Sequence, residues 1–364
     1  MNVVRERLAN QYLTVPGLKT AGAVVRPMGA VQAQDYAGAK WALSQRARDA
    51  SDAEIERELT EGCILRTHVL RPTWHFVAPE DIRWMLALTA PRVSAAMAYY
   101  NRQLELTPAV FRRSRAALAK TLSGGKHLTR TELRAVLERA RIGKISGQRL
   151  GHLMMQSELD AVVCSGARRG KQFTYALLDE RVPPAPPLER DQALLELTRR
   201  YFSTRGPASA HDFAWWSGLT IADVKRGIQI AGRELELLEL GEKRYWFTPR
   251  TRSAPKESPT AHLLPNYDEY FIGFKDRGAI GQRLGDLKLI TGGDALIAHI
   301  VFVDGQIVGG WKRTFDNQTV TVHLDLLTTL SGQERKRVAA AADKFGTFLG
   351  QPCQIAQELS ASRS

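Results

Sequence analysis

Between Ala109 and Leu178 the sequence carries a run of local signals that admits few folds. Apolar residues recur at helical spacing from Ala109 to Leu122. Gly124-Gly125 stops that helix, because glycine takes a left-handed backbone without a steric penalty. Thr129-x-x-Glu132 is a capping box, in which hydroxyl and carboxylate reciprocally satisfy orphan backbone N–H groups, and it opens a helix over Arg130 to Arg141. Ser146 caps a third helix that runs to about Leu159. Two strand-like stretches, Ala161 to Cys164 and Phe173 to Leu178, then flank a basic tip from Ser165 to Lys171. Three helices and a hairpin in that order predict a winged helix-turn-helix.

The same order recurs on both sides. Upstream, helices are expected over residues 3–13, from Gly17 to Val31 and from Asp52 to Glu61. Strands Ile64 to Leu70 and Thr73 to Val77 follow around the Arg71-Pro72 turn. Downstream of a stiff linker, Pro183 to Pro187, come a helix from Arg190 to Ser203, a short one capped by Ser209, and a third from Ile221 to Ala231. A hairpin of Glu234 to Leu240 with Arg244 to Thr248 completes the set. From Pro255 the pattern turns to β alternation, at Leu287 to Ile290, Ile297 to Val303, Gln306 to Trp311 and Thr319 to Leu324. Asp304-Gly305 makes a tight hairpin turn, and a helix from Gly332 to Leu349 closes the domain. The expected fold class is α+β. Tandem winged-helix units (helix-turn-helix with a β-hairpin wing) occupy 1–90, 91–182 and 183–252, and a C-terminal β-barrel-like domain occupies 253–364.

Charge narrows the function. Lys and Arg total 51 against 38 Asp and Glu, a net +13, and ten of those thirteen charges arise in residues 109–171. A merely basic background would spread evenly. Concentration on one winged unit is the footprint of phosphate contact, so the expected partner is double-stranded DNA. Arg149 and His152 lie on the third helix of that unit, Lys144 just before it, and Arg168, Arg169 and Lys171 crown the wing. Arg71, at the turn of the upstream hairpin, joins them as a DNA-binding candidate.

Cys63, Cys164 and Cys353 are far apart and in no metal or disulfide spacing. The start, MNVVRERLANQYL, has charges where a signal peptide needs an apolar run. No apolar stretch approaches the roughly 18 residues that span a bilayer. A cytoplasmic monomer with no metal, no cofactor and no membrane partner is the expectation.

Gln32-Ala33-Gln34 sits where the second helix gives way, at its end or in the loop beyond. Around it stand GAVQAQDYAGAKWALSQR, LRPTWHFVAPEDIRWML (residues 70–86), the GPAS and DFAWWSGL segments, LLPNYDEYFIGFKDR (residues 263–277) and VDGQIVGGWKR (residues 303–313). In their order and spacing, over nearly the whole chain, these resemble the AlkZ-like family of DNA glycosylases, the YcaQ group among them. The resemblance implies tandem winged helices with a C-terminal β domain, and excision of bulky or cationic N-alkylpurines. It also implies that some members unhook interstrand crosslinks. The family's catalytic signature is Gln-x-Gln in one branch and Gln-x-Asp in another, and Gln32 and Gln34 match the first form.

Amides suit that chemistry within limits. A purine alkylated at N3 or N7 is already cationic and leaves without protonation. The site then has to orient water and present negative dipoles to an oxocarbenium-like sugar, which Gln carbonyl oxygens can do. Glutamine has no useful pKa and is no strong general base, so activity is expected on cationic lesions and little on neutral ones. Asp35 and His75 are supporting candidates. Asp268, Glu269 and Asp276 suggest a metal or an acid–base pair, but no His stands at ligand spacing and Asp276-Arg277 reads as a structural pair. Trp215-Trp216 reads as core. The competing reading is a non-catalytic winged-helix DNA-binding protein, a regulator or scaffold, although no heptad run for dimerisation is present.

Overall fold

The computed structural model describes residues 1–15, 17–249, 259–285, 299–316 and 318–357. The chain divides into two units. The first comprises Met1–Ile55, Arg199–Trp216 and Ala231–Ser364, and the second Glu56–Thr198 and Ser217–Ile230.

In the second unit the punctuation read from the sequence does what its chemistry requires. Helices Pro108–Leu122, Arg130–Arg139 and Gly147–Leu159 are followed by strands Val163–Ser165 and Thr174–Leu177. Thr129 accepts from the Glu132 N–H while Glu132 accepts from the Thr129 N–H, so the capping box is complete. Ser146 accepts from the Arg149 N–H at the start of the next helix. Leu128–Thr129 adds to the hairpin as a third strand, pairing with Thr174–Tyr175. The apolar faces meet in one core around Leu118, Leu133, Leu137, Leu150, Leu153 and Tyr175. Strands Leu65–His68 and Trp74–Val77 pair antiparallel, with Thr67 opposite His75. Below them His68 Nδ1 meets the buried carboxylate of Glu158. A 22-residue helix, Ile82–Gln103, has no counterpart in the sequence reading and carries Pro91 within it.

The first unit holds an open five-stranded sheet. In spatial order its strands are Cys353–Gln357, Val320–Leu326, Gln306–Phe315, Ile300–Val303 and Ala261–Leu264. Among the described residues its two edge strands do not pair, so the sheet is not a closed barrel. The strand expected over 287–290 lies outside the described residues, as do 297 and 298. Asp304 and Gly305 both have positive φ, the backbone of a type I′ turn, and join two of the strands at the expected place. Gly305 is demanded twice, because a Cβ there would collide with Val4 and with the Tyr270 hydroxyl. Helix Gly332–Leu349 lies against the sheet, and its Phe345 and Phe348 pack on Trp41 at 5.1 and 5.2 Å between ring centres. Helix Tyr36–Ser44, which carries Trp41, was not expected. No helix of the described residues is long and apolar enough to cross a membrane.

Removing the capping hydroxyl should be felt locally. Thr129→Ala is expected to lower stability by about 1 kcal/mol, read as an earlier midpoint in urea denaturation with an unchanged slope.

Candidate active site

The Gln-x-Gln segment belongs to the first unit and is gripped from below by one buried carboxylate. Helix Ala21–Met28 ends at Gly29, whose φ of 73° turns the chain into a short strand, Ala30–Gln32. Gln32 therefore stands in extended backbone just past the helix, in a short strand where the sequence allowed a helix end or a loop. Its N–H donates to Glu269 Oε1 at 2.8 Å. The other oxygen of Glu269 accepts from Arg205 Nη2 at 2.6 Å, Arg205 Nε at 3.0 Å and the Trp216 indole N–H at 2.8 Å. Arg205 in turn donates to the carbonyls of Met28 and Ala30, at 3.0 and 2.9 Å. Both partners of this ion pair are completely buried. Two charges so placed fix the path of residues 28–32, since any displacement would strand a charge in apolar surroundings.

The adjacent carboxylate holds the far end of the same segment. Asp268 receives both terminal nitrogens of Arg46, at 2.9 and 2.8 Å, and Arg46 also donates to the Ala42 carbonyl and to the Gln11 side chain. Arg46 closes the helix that Asp35 opens, and the Asp35 carboxylate accepts from the Gly38 N–H at 3.1 Å. Gly38 is required here, because a Cβ would press on that carboxylate and on Pro265. Consecutive carboxylates at the start of helix Glu269–Ile272 thus clamp the start and the end of residues 28–46.

Between the clamps the glutamines differ. Gln32 is only 7 % exposed, whereas Gln34 is exposed and Asp35 half-buried. Beside Asp35 stand two residues that sequence reasoning missed, His299 and Arg313. His299 Nδ1 accepts from the Asn266 N–H and Arg313 stands 2.9 Å from its Nε2. Burial, then the neighbouring Arg313, push the His299 pKa down to about 4, with Asp35 opposing, so the ring is neutral at physiological pH. Burial also lowers the Arg313 pKa, again against Asp35. Nothing in spacing could link residues 35, 299 and 313. Of the two missed residues, only Arg313, at the end of VDGQIVGGWKR, lay inside a segment already singled out.

The three carboxylates weighed as a metal or acid–base group have other employment. Asp268 and Glu269 are committed to Arg46 and Arg205, and Asp276 pairs with Lys243 at 2.5 Å. The Asp276–Arg277 pair expected from adjacency is not formed. Arg277 Nε donates instead to the Phe271 carbonyl, and its guanidinium lies over the Phe271 ring. Trp216 is core, while Trp215 is 37 % exposed with its indole N–H on the Ile272 carbonyl.

The remaining candidates belong to the second unit. His75 is fully buried, and its Nδ1–H donates to the Thr73 carbonyl. Arg71 is half-buried in its turn. Arg149 caps the carbonyls of Leu104 and Ile142, and His152 Nδ1 bonds Asn101 at 2.7 Å. Arg168 pairs with Glu56 at 3.0 Å. Arg169 bonds Glu132 and the His127 carbonyl but keeps more than half its side chain exposed. Lys144 and Lys171 are exposed. Lys144, Arg169 and Lys171 thus point cations outward, while Arg149 and His152, on helix Gly147–Leu159, are tied inward.

A profile of the family described as DNA glycosylase AlkZ-like matches residues 25–348. The chain belongs to the AlkZ-like DNA glycosylase family. It is therefore an enzyme of DNA repair that hydrolyses N-glycosyl bonds, with DNA as its substrate, and membership speaks against the non-catalytic reading. A relative from Streptomyces sahachiroi, named interstrand DNA cross-link repair glycosylase, is 24% identical over 334 residues, 86% of this chain and 88% of its own. The solved structure of Streptomyces sahachiroi DNA glycosylase AlkZ superposes with a TM-score of 0.77 at 20% identity, covering 98% of each chain. This AlkZ-like chain shares that mixed α+β fold.

Deleting the carboxylate that supports Gln32 should cost far more than a surface pair. Glu269→Ala is expected to destabilise by about 3–5 kcal/mol, because Arg205 is left buried and uncompensated. Chemical denaturation monitored by tryptophan fluorescence measures it.

Proposed function

We propose that the chain is a monofunctional glycosylase for purines made cationic by alkylation at N3 or N7, including those joined in interstrand crosslinks, as the relative's name suggests. Gln32 and Gln34 orient the attacking water and turn carbonyl dipoles toward the developing oxocarbenium. The observation that carries this reading is the clamped backbone of residues 28–35, which presents an exposed Gln34 beside the Asp35 carboxylate. Preorganised dipoles cost no reorganisation during bond cleavage, which is what a site without a strong base needs. Asp35 adds a negative charge near the sugar, held in orientation by the Gly38 N–H. His75, with its proton on Nδ1, serves as a supporting residue.

Three helices followed by a hairpin, read as a winged helix-turn-helix over residues 108–177, supply the double-stranded DNA surface. Winged units over 1–90 and 183–252 extend the tandem. The enzyme works as a cytoplasmic monomer. Phosphate contact falls to Lys144, Arg169 and Lys171, whose side chains are the most exposed of the candidate cations, while Arg149, His152 and Arg168 shape the surface behind them. Arg71 adds a contact from the neighbouring hairpin.

A duplex carrying one 7-methylguanine, followed by alkali cleavage at abasic sites, tests the chemistry. Wild type is expected to give product, and Gln34→Ala and Gln32→Ala to lose about 2–4 kcal/mol of transition-state stabilisation, the scale of one lost oriented dipole, while binding persists. Full turnover in both variants would remove the glutamines from the mechanism. Separately, the Arg169→Ala, Lys171→Ala double variant should bind more weakly on every sequence, and the slope of log K against log salt should fall by about 1 to 2. An unaltered slope would move the DNA surface elsewhere.

A further inference from the structure

Beside the glutamine segment, three stretches of the first unit are tied into one frame. The Trp311 indole N–H donates to the Leu264 carbonyl at 2.9 Å, and the Asn266 N–H donates to His299 Nδ1 at 2.9 Å. The backbone N–H of Trp311 donates to the His299 carbonyl at 3.0 Å. Pro265, between Leu264 and Asn266, packs on the turn that Asp35 caps, since a Cβ on Gly38 would come within 3.1 Å of it. Trp311 and Arg313 are two apart on strand Gln306–Phe315 and so share a face. The Arg313 guanidinium lies 5.7 Å from the centre of the Trp311 ring and 5.9 Å from that of Phe345, an aromatic wall that holds it in place.

This frame sets two donors face to face. A neutral imidazole has one acceptor nitrogen, and His299 uses it on the Asn266 N–H, so Nε2 carries the proton of the ring. A protonated ring would have no lone pair for Asn266 at all. Arg313 Nη1, 2.9 Å from that Nε2, has hydrogens and no lone pair. The two groups therefore cannot bond each other, and they are satisfied together when a single oxygen accepts from both. Both are half-buried, so solvent and ligand atoms can reach them. Among the described residues Arg313 meets no carboxylate at ion-pair distance, although the charge of Asp35 is felt by both groups.

We propose that His299 Nε2–H and Arg313 grip one non-bridging oxygen of a phosphodiester next to the damaged nucleotide and so set its sugar against Gln34 and Asp35. The place of the damaged nucleotide, and with it this inference, rests on the glutamine site proposed above. The acceptor is the backbone and not the lesion, because a guanidinium repels a purine already made cationic. An anionic oxygen also receives charge-assisted bonds, roughly twice as strong as neutral ones. With a phosphate on the guanidinium, the charge of Asp35 is left to the developing oxocarbenium. His299 and Arg313 are thus substrate-positioning residues.

The test is equilibrium binding of the full chain to a duplex with one 7-methylguanine on a 2′-fluorinated sugar, which resists cleavage because fluorine disfavours the oxocarbenium. Each of the two phosphates flanking the lesion is replaced in turn by an uncharged methylphosphonate. One of these replacements is expected to weaken wild-type binding about tenfold, the scale of one charge-assisted hydrogen bond. Arg313→Ala should weaken binding to the all-phosphate duplex as much, and lose nothing more on that same replacement. His299→Asn keeps an acceptor for the Asn266 N–H and removes the Nε2 donor. It should weaken binding about threefold and blunt the response to the same replacement. Arg313→Ala strands no ion-paired carboxylate, so the variant should fold, and an unchanged melting temperature verifies that. Losses that simply add when variant and replacement are combined would overturn the assignment, as would wild-type indifference to both replacements. Because binding is read, a wild type that binds yet does not excise 7-methylguanine would count against the glutamine mechanism alone.

Discussion

A carboxylate that never meets solvent governs this protein's candidate site. Glu269 receives four donors, one of them the backbone of Gln32, and its counter-ion Arg205 holds the carbonyls on the approach to that residue. Ion pairs of this kind seldom add net stability over a well-packed apolar core. What they add is geometric insistence, since few other arrangements satisfy every hydrogen bond. The amides proposed to act in the reaction depend on that insistence, because an uncharged side chain contributes orientation and dipole, not proton affinity.

The second unit spends its cations differently. Several arginines in the basic window, among them Arg113, Arg130 and Arg149, donate to main-chain carbonyls of the unit itself. Positive charge there closes helix ends and also sets the field outside. The field survives this use, since a carbonyl is neutral, but fewer cations are free to turn outward than a count of residues suggests. Lys144, Arg169 and Lys171, at the loop and hairpin tips, are left exposed.

Local chemistry made much of the architecture legible. The capping box at Thr129, the cap at Ser146 and the Asp304-Gly305 turn each act within four residues, so the sequence contains their whole cause. Helix Tyr36–Ser44 escaped because residues 38–44 are buried throughout, which erases the amphipathic period that betrays a surface helix. Strand Cys353–Gln357 escaped for another reason. It pairs in parallel with Val320–Leu326 across an intervening helix, and no turn signal marks such a crossover. The Asp276–Arg277 pairing failed because neighbours in sequence compete with closer partners in space, here Lys243 and the Phe271 carbonyl.

By itself the sequence determined several helix stops and caps, part of the order of elements, the concentration of charge and the Gln-x-Gln pair, all written in residues close to one another. Tertiary structure alone decided which carboxylates support that pair, which arginines remain outward, and that His299 and Arg313 stand beside Asp35. The physical reason is separation: Gln32 and Glu269 are 237 residues apart. A hydrogen bond across that distance leaves no periodicity to read, because it exists only after the apolar faces have packed and brought both ends into one dry interior.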